Sequence, residues 1–252
     1  MNIDLHTHGK LAKKTDFDPI RFREMIEYAR LSGLDAIALT EHFNTRNFND
    51  LYDQLDARYD YVHDYYDIEG FKVFPGIEID VQEIGHLLMI GPRQAIRALR
   101  ARLTAHVEEH TFIGIRDLLD YCDTLPLLRI GAHPHRESTP LHHLPAEELR
   151  RLDCFDLNGK DLHKYGLGMQ ERVAVLASEI GLPVVAGSDT HHPLQYGCVM
   201  NRLHQSCNTV AELKACLLNG QYDIIISPQL HEKVQAAALV KDMIKQQWKI
   251  AQ

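Results

Sequence analysis

The chain has 252 residues, of which 45% are hydrophobic and 25% are charged, and its formal net charge is -8 with the histidines neutral. This length and composition predict one large hydrophobic core, and we expect a single domain over residues 1–252. The negative charge disfavours a nonspecific nucleic-acid binder, which normally carries a basic surface. No apolar stretch approaches the roughly 18 residues that span a bilayer, so we expect no membrane partner and a cytoplasmic location.

The five cysteines show no C-x-x-C spacing and are odd in number. Neither a zinc-thiolate site nor a disulfide framework is therefore predicted, and we expect the thiols to be reduced and buried. The sixteen histidines are the unusual feature of the composition, and many of them follow strand-like segments.

Strand and helix patterns alternate along the chain. A strand at 3–8 is followed by a helix from about Pro19 to Ser32, with Asp18 as its N-cap and Gly33 as its stop signal. Strands are predicted at 35–42, 71–80 and 84–90, and the tyrosine-rich stretch 49–66 has helical spacing. Further helices are predicted at 92–103, 113–122, 145–151, 168–180, 210–219 and, at the C-terminus, about 232–250, and further strands at 127–133, 154–157 and 183–188.

This alternation predicts the fold class α/β. Repeated strand-helix units favour a parallel sheet, because crossover helices join strands that point the same way. Closure into a barrel is the natural arrangement, and barrels of this type place their active sites at the carboxyl ends of the strands. The segment 137–145 is predicted to be a mobile loop.

Metal-ligating side chains recur where the predicted strands end. His6 and His8 are two residues apart on one strand and therefore point to the same side. Six predicted strand ends supply imidazole or carboxylate groups, which are the ligands that borderline and hard divalent ions take. These residues are His6, His8, Glu41, His42, Glu78, His86, His133, His135, Asp189 and His191. The sequence therefore predicts a metal centre at one end of the barrel.

The motifs that carry these residues resemble the PHP family, named for polymerase and histidinol phosphatase. They are Asp4-Leu-His-Thr-His8, Leu39-Thr-Glu-His42, Gly76-Ile-Glu78, Ala132-His-Pro134 and Gly187-Ser-Asp-Thr-His191, in family order. The resemblance covers essentially the whole chain. It implies a distorted (β/α)7 barrel, similar to a TIM barrel, and two or three divalent ions (zinc, manganese or iron) that hydrolyse phosphoesters.

The resemblance also implies a ligand set, carried over position by position. His6, His8, Glu78 and Asp189 would hold a first ion. Glu78 would bridge to a second ion, held by His86 and His133. His42 and His191 would hold a third ion.

The chemistry of these residue types is consistent with hydrolysis. Two cations about 3.5 to 4 Å apart lower the pKa of a shared water until hydroxide is available at neutral pH, and that hydroxide would attack phosphorus. The cations would also stabilise charge on the phosphoryl oxygens. Asp189 or His191 would protonate the leaving group or orient the water.

The chain departs from the family at the residues after His8. Family members commonly place an aspartate or histidine there to complete the third site, whereas this chain has Gly9-Lys-Leu-Ala-Lys-Lys14. Because a protonated lysine cannot ligate a cation, either Asp16 reaches in, or the third ion is weak or absent and Lys10 or Lys13 supplies positive charge. Arg136 and Lys160 lie at predicted strand ends and are candidates to bind phosphate, or else surface cations.

Three functions are consistent with these features. The first is a metal-dependent phosphoesterase acting on a phosphomonoester or phosphodiester of a small metabolite or nucleotide. The second is an exonuclease on short oligonucleotides, which the acidic charge and the lack of a basic, aromatic-lined track disfavour. The third is a non-catalytic metal-binding interaction module, against which the near-complete ligand set argues. Metal-assisted amide hydrolysis uses similar ligands. The sequence does not indicate an oligomeric state.

Overall fold

The computed structural model describes residues 1–250, and the side chains of residues 1–247. The strands are β1 (Asn2–Thr7), β2 (Ala36–His42), β3 (Asp60–Val62), β4 (Tyr65–Ile68), β5 (Phe71–Asp80), β6 (His86–Ile90), β7 (Leu128–Gly131), β8 (Cys154–Asn158), β9 (Val184–Gly187), β10 (Val199–Leu203) and β11 (Tyr222–Ile226). The α-helices are α1 (Pro19–Leu31), α2 (Phe48–Asp56), α3 (Arg93–Arg102), α4 (Ile115–Cys122), α5 (Ala146–Leu149), α6 (Gly159–Tyr165), α7 (Met169–Ile180), α8 (Val210–Leu218) and α9 (Leu230–Ile250). Short 3-10 helices lie at Thr104–His106, Glu109–Thr111 and Pro193–Gln195. Within the described residues, no helix has the length and apolar character needed to cross a membrane.

The strands form a nearly closed barrel. Its order is β1-β2-β5-β6-β7-β8-β9, and β9 returns to β1 through a parallel bridge between Thr7 and Thr190. β10 and β11 extend the sheet antiparallel beyond β1, and the β3–β4 hairpin adds to β5. The predicted α/β barrel is confirmed.

The expectation of a parallel sheet is wrong outside the barrel path, where β3, β4, β10 and β11 pair antiparallel, and within the barrel path it is wrong at β6. β6 runs antiparallel to both β5 and β7, because β5 and β6 are joined by a short turn at 81–85 and not by a crossover helix. His86 therefore lies at the start of its strand, and Asp80, at the end of β5, is its partner. The reversal places His86 at the same rim as the carboxyl ends of the other barrel strands.

Most predicted elements are confirmed within a few residues. Asp18 caps α1, with its side chain accepting hydrogen bonds from two backbone N–H groups of the first turn. The prediction of one helix over 49–66 is wrong in its second half, because α2 ends at Asp56 and a hairpin follows, with its turn at His63 in the left-handed region (φ 53°). The sequence patterns missed α6, β10 and β11.

Two apolar clusters form the core beneath the rim that carries the candidate ligands. The larger lies between the sheet and the surrounding helices. The smaller fills the barrel, where side chains such as Leu5, Phe74 and Leu88 pack together, and Leu213 of α8 belongs to the same cluster. The five cysteines are buried and unpaired by disulfides, as the sequence predicted.

Candidate metal centre

A local irregularity in β1 turns its histidines into the barrel. Ile3 and Leu5 belong to the apolar cluster inside the barrel, but the pairing of β1 with β2 shifts register between Asp4 and Thr7. His6 and His8 consequently come to lie beside Glu78 from β5. After the register shift, the side chains that face the interior of the barrel are two candidate ligands and no longer apolar residues.

The neighbouring end of β9 approaches β1 so closely that it requires glycine. A Cβ atom on Gly187 would lie 2.4 Å from the Cβ atom of His6. Two residues later, Asp189 has a backbone in the left-handed region (φ 57°), and His133 at the end of β7 also has a positive φ (33°). Such conformations are unusual for these residue types and cluster at functional sites.

The eight metal ligands that the family resemblance implied come together at this rim. Their donor atoms form three groups in which every atom lies within 4.8 Å of the others. The groups are His6, His8 and Asp189; Glu78, His86 and His133; and His8, His42 and His191. His8 thus belongs to two groups, and the third group contains one more imidazole than the resemblance implied.

Glu78 is the centre of the arrangement. Its Oε1 atom lies 2.7 Å from His86 Nδ1, 3.3 Å from His133 Nε2 and 3.6 Å from His6 Nε2. Its Oε2 atom lies 2.8 Å from His42 Nδ1 and 3.4 Å from His8 Nε2. Burial alone would raise the pKa of Glu78, but its electrostatic interactions with the imidazoles of His42, His86 and His6 hold that pKa well below its usual range.

The donor atoms fit divalent cations. Among the described residues, His6 Nε2, both ring nitrogens of His8, His42 Nδ1 and Glu78 Oε2 are buried and make no hydrogen bond. A buried polar atom without a partner is costly, and several such atoms converging on one place are suited to bind a cation. Burial also holds the pKa values of His133 and His191 well below the usual range, so these two rings are neutral. In His6 and His86 burial is outweighed by Glu78 and other carboxylates, which raise their pKa values to about 10 and about 9, so a cation that binds these rings displaces a proton.

Two cations flank Asp189. Lys160 Nζ donates to its Oδ1 atom at 2.8 Å, and Arg136 Nη1 donates to its Oδ2 atom at 2.9 Å. Burial would raise the pKa of Asp189, but these charges and that of His6 hold it well below its usual range. Arg136 also donates to Asp161 and Asn158, so its guanidinium spans three side chains.

Asp156 and Asp80 hold ligand histidines and were not among the predicted site residues, whereas Glu41 was among the residues noted at the predicted strand ends. His6 Nδ1 donates to Asp156 Oδ2 at 3.0 Å, and His86 Nε2 lies 2.7 Å from Asp80 Oδ1. Glu41 Oε1 lies 3.6 Å from His8 Nδ1. Such partners fix the orientation of a ligating ring. For Asp80 a signal was available, because it lies two residues after Glu78 on the same strand and hence on the same face.

The structure separates the candidates in the lysine-containing loop. Lys10 is buried, and its Nζ atom donates to the carbonyl of Arg46, away from the clustered ligands. Asp16 has a side chain that is 56% exposed and bonds to Asn47 and Arg46, so the alternative in which Asp16 reaches the third site is wrong. Lys13 does approach the rim, where its Nζ atom lies 3.2 Å from Asp80 Oδ2.

Two open cavities border the centre, one beside His86 and the other beside His191. One, of about 530 Å³, is lined by Lys13, Asp80, His86 and Thr139, among others. The other, of about 420 Å³, lies between α6, the 3-10 helix at Pro193–Gln195 and α9, and His191 and Lys160 are among its lining residues. Both have room for a small-molecule substrate.

Comparison with solved structures identifies the fold. PsfC from Pseudomonas syringae superposes with a TM-score of 0.79 over 96% of this chain and 98% of its own, at 19% sequence identity. The lesion-specific endonuclease EndoQ from Pyrococcus furiosus gives a TM-score of 0.65 at 18% identity, over 88% of this chain and 57% of its own. An amidohydrolase from Chromobacterium violaceum gives 0.55 at 16% identity, over 88% and 98%.

The chain has the PHP-type barrel fold. This confirms the fold that the sequence motifs implied. At these identities the likeness concerns the fold alone, and this chain spans little more than half of the endonuclease. No protein-family model and no curated protein sequence matches the chain. Evidence for the reaction that this PHP-type barrel catalyses therefore has to come from the residues at the rim of its own barrel.

Proposed function

We propose that the protein is a metal-dependent phosphoesterase that hydrolyses a phosphomonoester or phosphodiester of a small metabolite or nucleotide. The observation that carries the proposal is the set of three ligand groups around Glu78, with buried ring nitrogens that make no hydrogen bond. A barrel needs no such groups for its stability. Their convergence at the rim where barrels of this type carry active sites favours a catalytic centre.

We assign the ligands from the three groups. His6, His8 and Asp189 would hold one ion, Glu78, His86 and His133 a second, and His8, His42 and His191 a third. Glu78 lies within 4 Å of a histidine from each group and is the candidate bridge. Divalent ions bound there would activate water and neutralise charge on phosphoryl oxygens. We expect zinc, manganese or iron, since imidazole and carboxylate together suit these metals.

The local charges favour distinct roles for Asp189 and His191. The depressed pKa of Asp189 keeps its carboxylate ionised, which suits an anionic ligand and not a proton donor. The depressed pKa of His191, caused by burial and by the nearby charges of His8 and Lys160, keeps its ring neutral and able to ligate or to accept a proton. We therefore infer that the acid that protonates the leaving group is neither of these two side chains.

The cations near the centre also separate into different roles. The side chain of Lys160 is 32% exposed and faces an open cavity, so its ammonium group is the better candidate to contact a substrate phosphate. Arg136 uses three of its donors within the protein and acts as a positioning residue for Asp189. Lys13 faces the cavity on the side of His86, and Lys10 contacts no substrate.

Hydrolysis of short oligonucleotides is the second candidate. Its support is that a protein with the same fold, EndoQ, is a lesion-specific endonuclease. The net charge of -8 argues against it, because a nucleic-acid track requires a basic surface.

A substrate panel tests the proposal. The purified chain is loaded separately with zinc, manganese or iron and assayed on phosphomonoesters, cyclic and linear nucleotides, short oligonucleotides and an anilide. We expect metal-dependent release of phosphate, or of a phosphomonoester from a diester, and its loss in Glu78→Gln. Activity confined to the anilide would indicate an amidase, activity confined to oligonucleotides a nuclease, and stoichiometric metal without any turnover a binding module.

A further inference from the structure

The cavity beside His191, here called the lysine pocket, is lined by cations from two helices. On α9 its lining residues are Val234, Ala237, Ala238, Lys241, Asp242 and Lys245, and on α6 they are Lys160, His163 and Lys164. Each of these α9 positions, Asp242 included, lies three or four residues from another of them, so they share one face of the helix. The small side chains of Ala237 and Ala238 leave space that the lysines border.

The lysines in this pocket are poorly neutralised. Of the four, Lys160 pairs with Asp189 and Lys164 with Glu137. In the described part of the chain, neither Lys241 nor Lys245 has a carboxylate within 4 Å of its Nζ atom, although Asp242 lines the same cavity. Two lysines four residues apart on a helix repel each other, so their placement destabilises the helix unless something binds between them.

Lys241 is the most perturbed of these cations. Burial, together with the charges of Lys160 and Lys245, lowers the pKa of Lys241 to about 7. A bound anion would offset both causes, because it would replace the lost hydration and screen the repulsion. Asp189 and Asp242 oppose this lowering of the pKa only in part, so the pocket is arranged as an anion site whose positive charge the protein neutralises incompletely.

The lysine pocket is continuous with the metal centre. Lys160, which lines it, lies 2.8 Å from Asp189 Oδ1 and 3.3 Å from His191 Nδ1. His191 also lines it, and its ring stacks on His8 with 4.1 Å between centroids. A substrate whose phosphoryl group lay at the ligand set could therefore reach Lys241 with its other end.

We propose that the lysine pocket is a second anion subsite, and that the substrate is a small molecule with a second phosphate or carboxylate in addition to its scissile phosphoester. The inference rests on the proposed function and narrows its substrate class. A small dianion fits better than a nucleic acid, because the pocket is a cavity of about 420 Å³ and not a groove that tracks a backbone.

Paired ligands of different charge test the subsite without relying on turnover. Alkane bisphosphonates of several short chain lengths, the matching monophosphonates and the matching phosphonocarboxylates are titrated calorimetrically into the metal-loaded chain. We expect at least one bisphosphonate or phosphonocarboxylate to bind about 10- to 100-fold more tightly than its monophosphonate, which is the range for one charge-assisted hydrogen bond. Whichever of the bisphosphonate and the phosphonocarboxylate binds more tightly shows whether the second anionic group of the substrate is a phosphate or a carboxylate.

Substitutions then locate the gain in affinity. Lys241→Met should abolish the preference for the second anion and leave the monophosphonate affinity within about twofold. Lys245→Met provides an independent variant should the first fail to fold, which circular dichroism reports. Lys14→Met is the matched control, since Lys14 is exposed and lies outside the pocket. Its preference should equal that of the wild type.

Several results would overturn the proposal. The first is that the wild type binds ligands with one and with two anionic groups equally tightly. The second is that the preference for two anionic groups persists in both Lys241→Met and Lys245→Met. The third is that only a dinucleotide binds more tightly than the monophosphonate. Assays on the corresponding phosphate esters keep the two proposals apart. If no ester is hydrolysed but the Lys241-dependent preference persists, the phosphoesterase assignment fails and the anion subsite stands.

Discussion

Replacing Glu78 by glutamine should remove metal and activity together. Its two carboxylate oxygens lie between 2.7 and 3.6 Å from nitrogens of five histidines, with at least one from each ligand group. Glutamine preserves the shape of the side chain but removes the negative charge. The barrel should remain folded, because Glu78 belongs to neither of the two apolar clusters.

The size of the effect follows from what the carboxylate contributes. Loss of a group that only orients a ligand costs about 10- to 100-fold in metal affinity. A direct and central carboxylate should cost at least the upper figure, which corresponds to about 2.7 kcal/mol. The group of Glu78, His86 and His133 would then hold its ion with two neutral imidazoles and a neutral amide.

Metal content and turnover measured on the same preparations test this prediction. After gel filtration in metal-free buffer, mass spectrometric metal analysis should show at least one ion per chain fewer than in the wild type, and the rate should fall in parallel. Glu171→Gln is a matched control, because Glu171 is exposed on α7. Normal metal content in Glu78→Gln would refute the assignment of Glu78 as the bridging ligand.

Three further predictions concern the surroundings of the centre. Chelation of metal should leave the far-ultraviolet circular dichroism signal intact, because the barrel has a large core of its own, and loss of that signal at room temperature would contradict this. Lys13→Met should raise KM for phosphoesters without changing metal content. Asp16→Asn should change neither KM nor metal content, since Asp16 is exposed and hydrogen-bonded to other residues. A loss of one ion in Asp16→Asn would show that Asp16 is a metal ligand. Because burial and neighbouring lysines lower the pKa of Lys241 to about 7 from about 10.5, its charge destabilises the folded state fully below pH 7, and the penalty disappears as the pH rises towards 10.5. Lys241→Met should therefore have a higher Tm than the wild type near pH 6.5, by a margin that shrinks towards pH 10, and a pH-independent difference would contradict this.

The sequence was sufficient to predict which candidate ligands lie close together but not how they are grouped. His6, His8, Glu78 and Asp189 could be found because ligand-type residues at strand ends of a barrel must share a rim. The grouping of His8 with His42 and His191 depends on the register shift in β1, which no local sequence pattern indicates. That sharing of His8 between two groups could only come from the three-dimensional packing.

Errors in the predicted elements have similar causes. The helical spacing over 49–66 reads equally as an alternating hairpin from Asp60 to Ile68, and the pairing of β4 with β5 decides between them. The antiparallel direction of β6 follows from the length of the preceding turn and not from the strand itself. β10 and β11 lie outside the barrel path, where no repeated strand-helix unit predicts them. The extent of the chain as one domain stays a prediction.

The distribution of charge around the centre matters more for the choice of substrate than the net charge of -8. The cavity on the side of His86 is lined by Asp80, Glu108 and Glu109 together with Lys13, whereas the lysine pocket has four lysines and one aspartate among its described lining residues. Charges buried at a cleft act over short distances with little screening, while exposed surface charges are screened within about 10 Å by salt. An acidic protein can therefore draw an anionic ligand to one side of its metal centre. On the proposed function, this asymmetry would orient the substrate, with its second anionic group on the side of His191 and its uncharged or cationic portion on the side of His86.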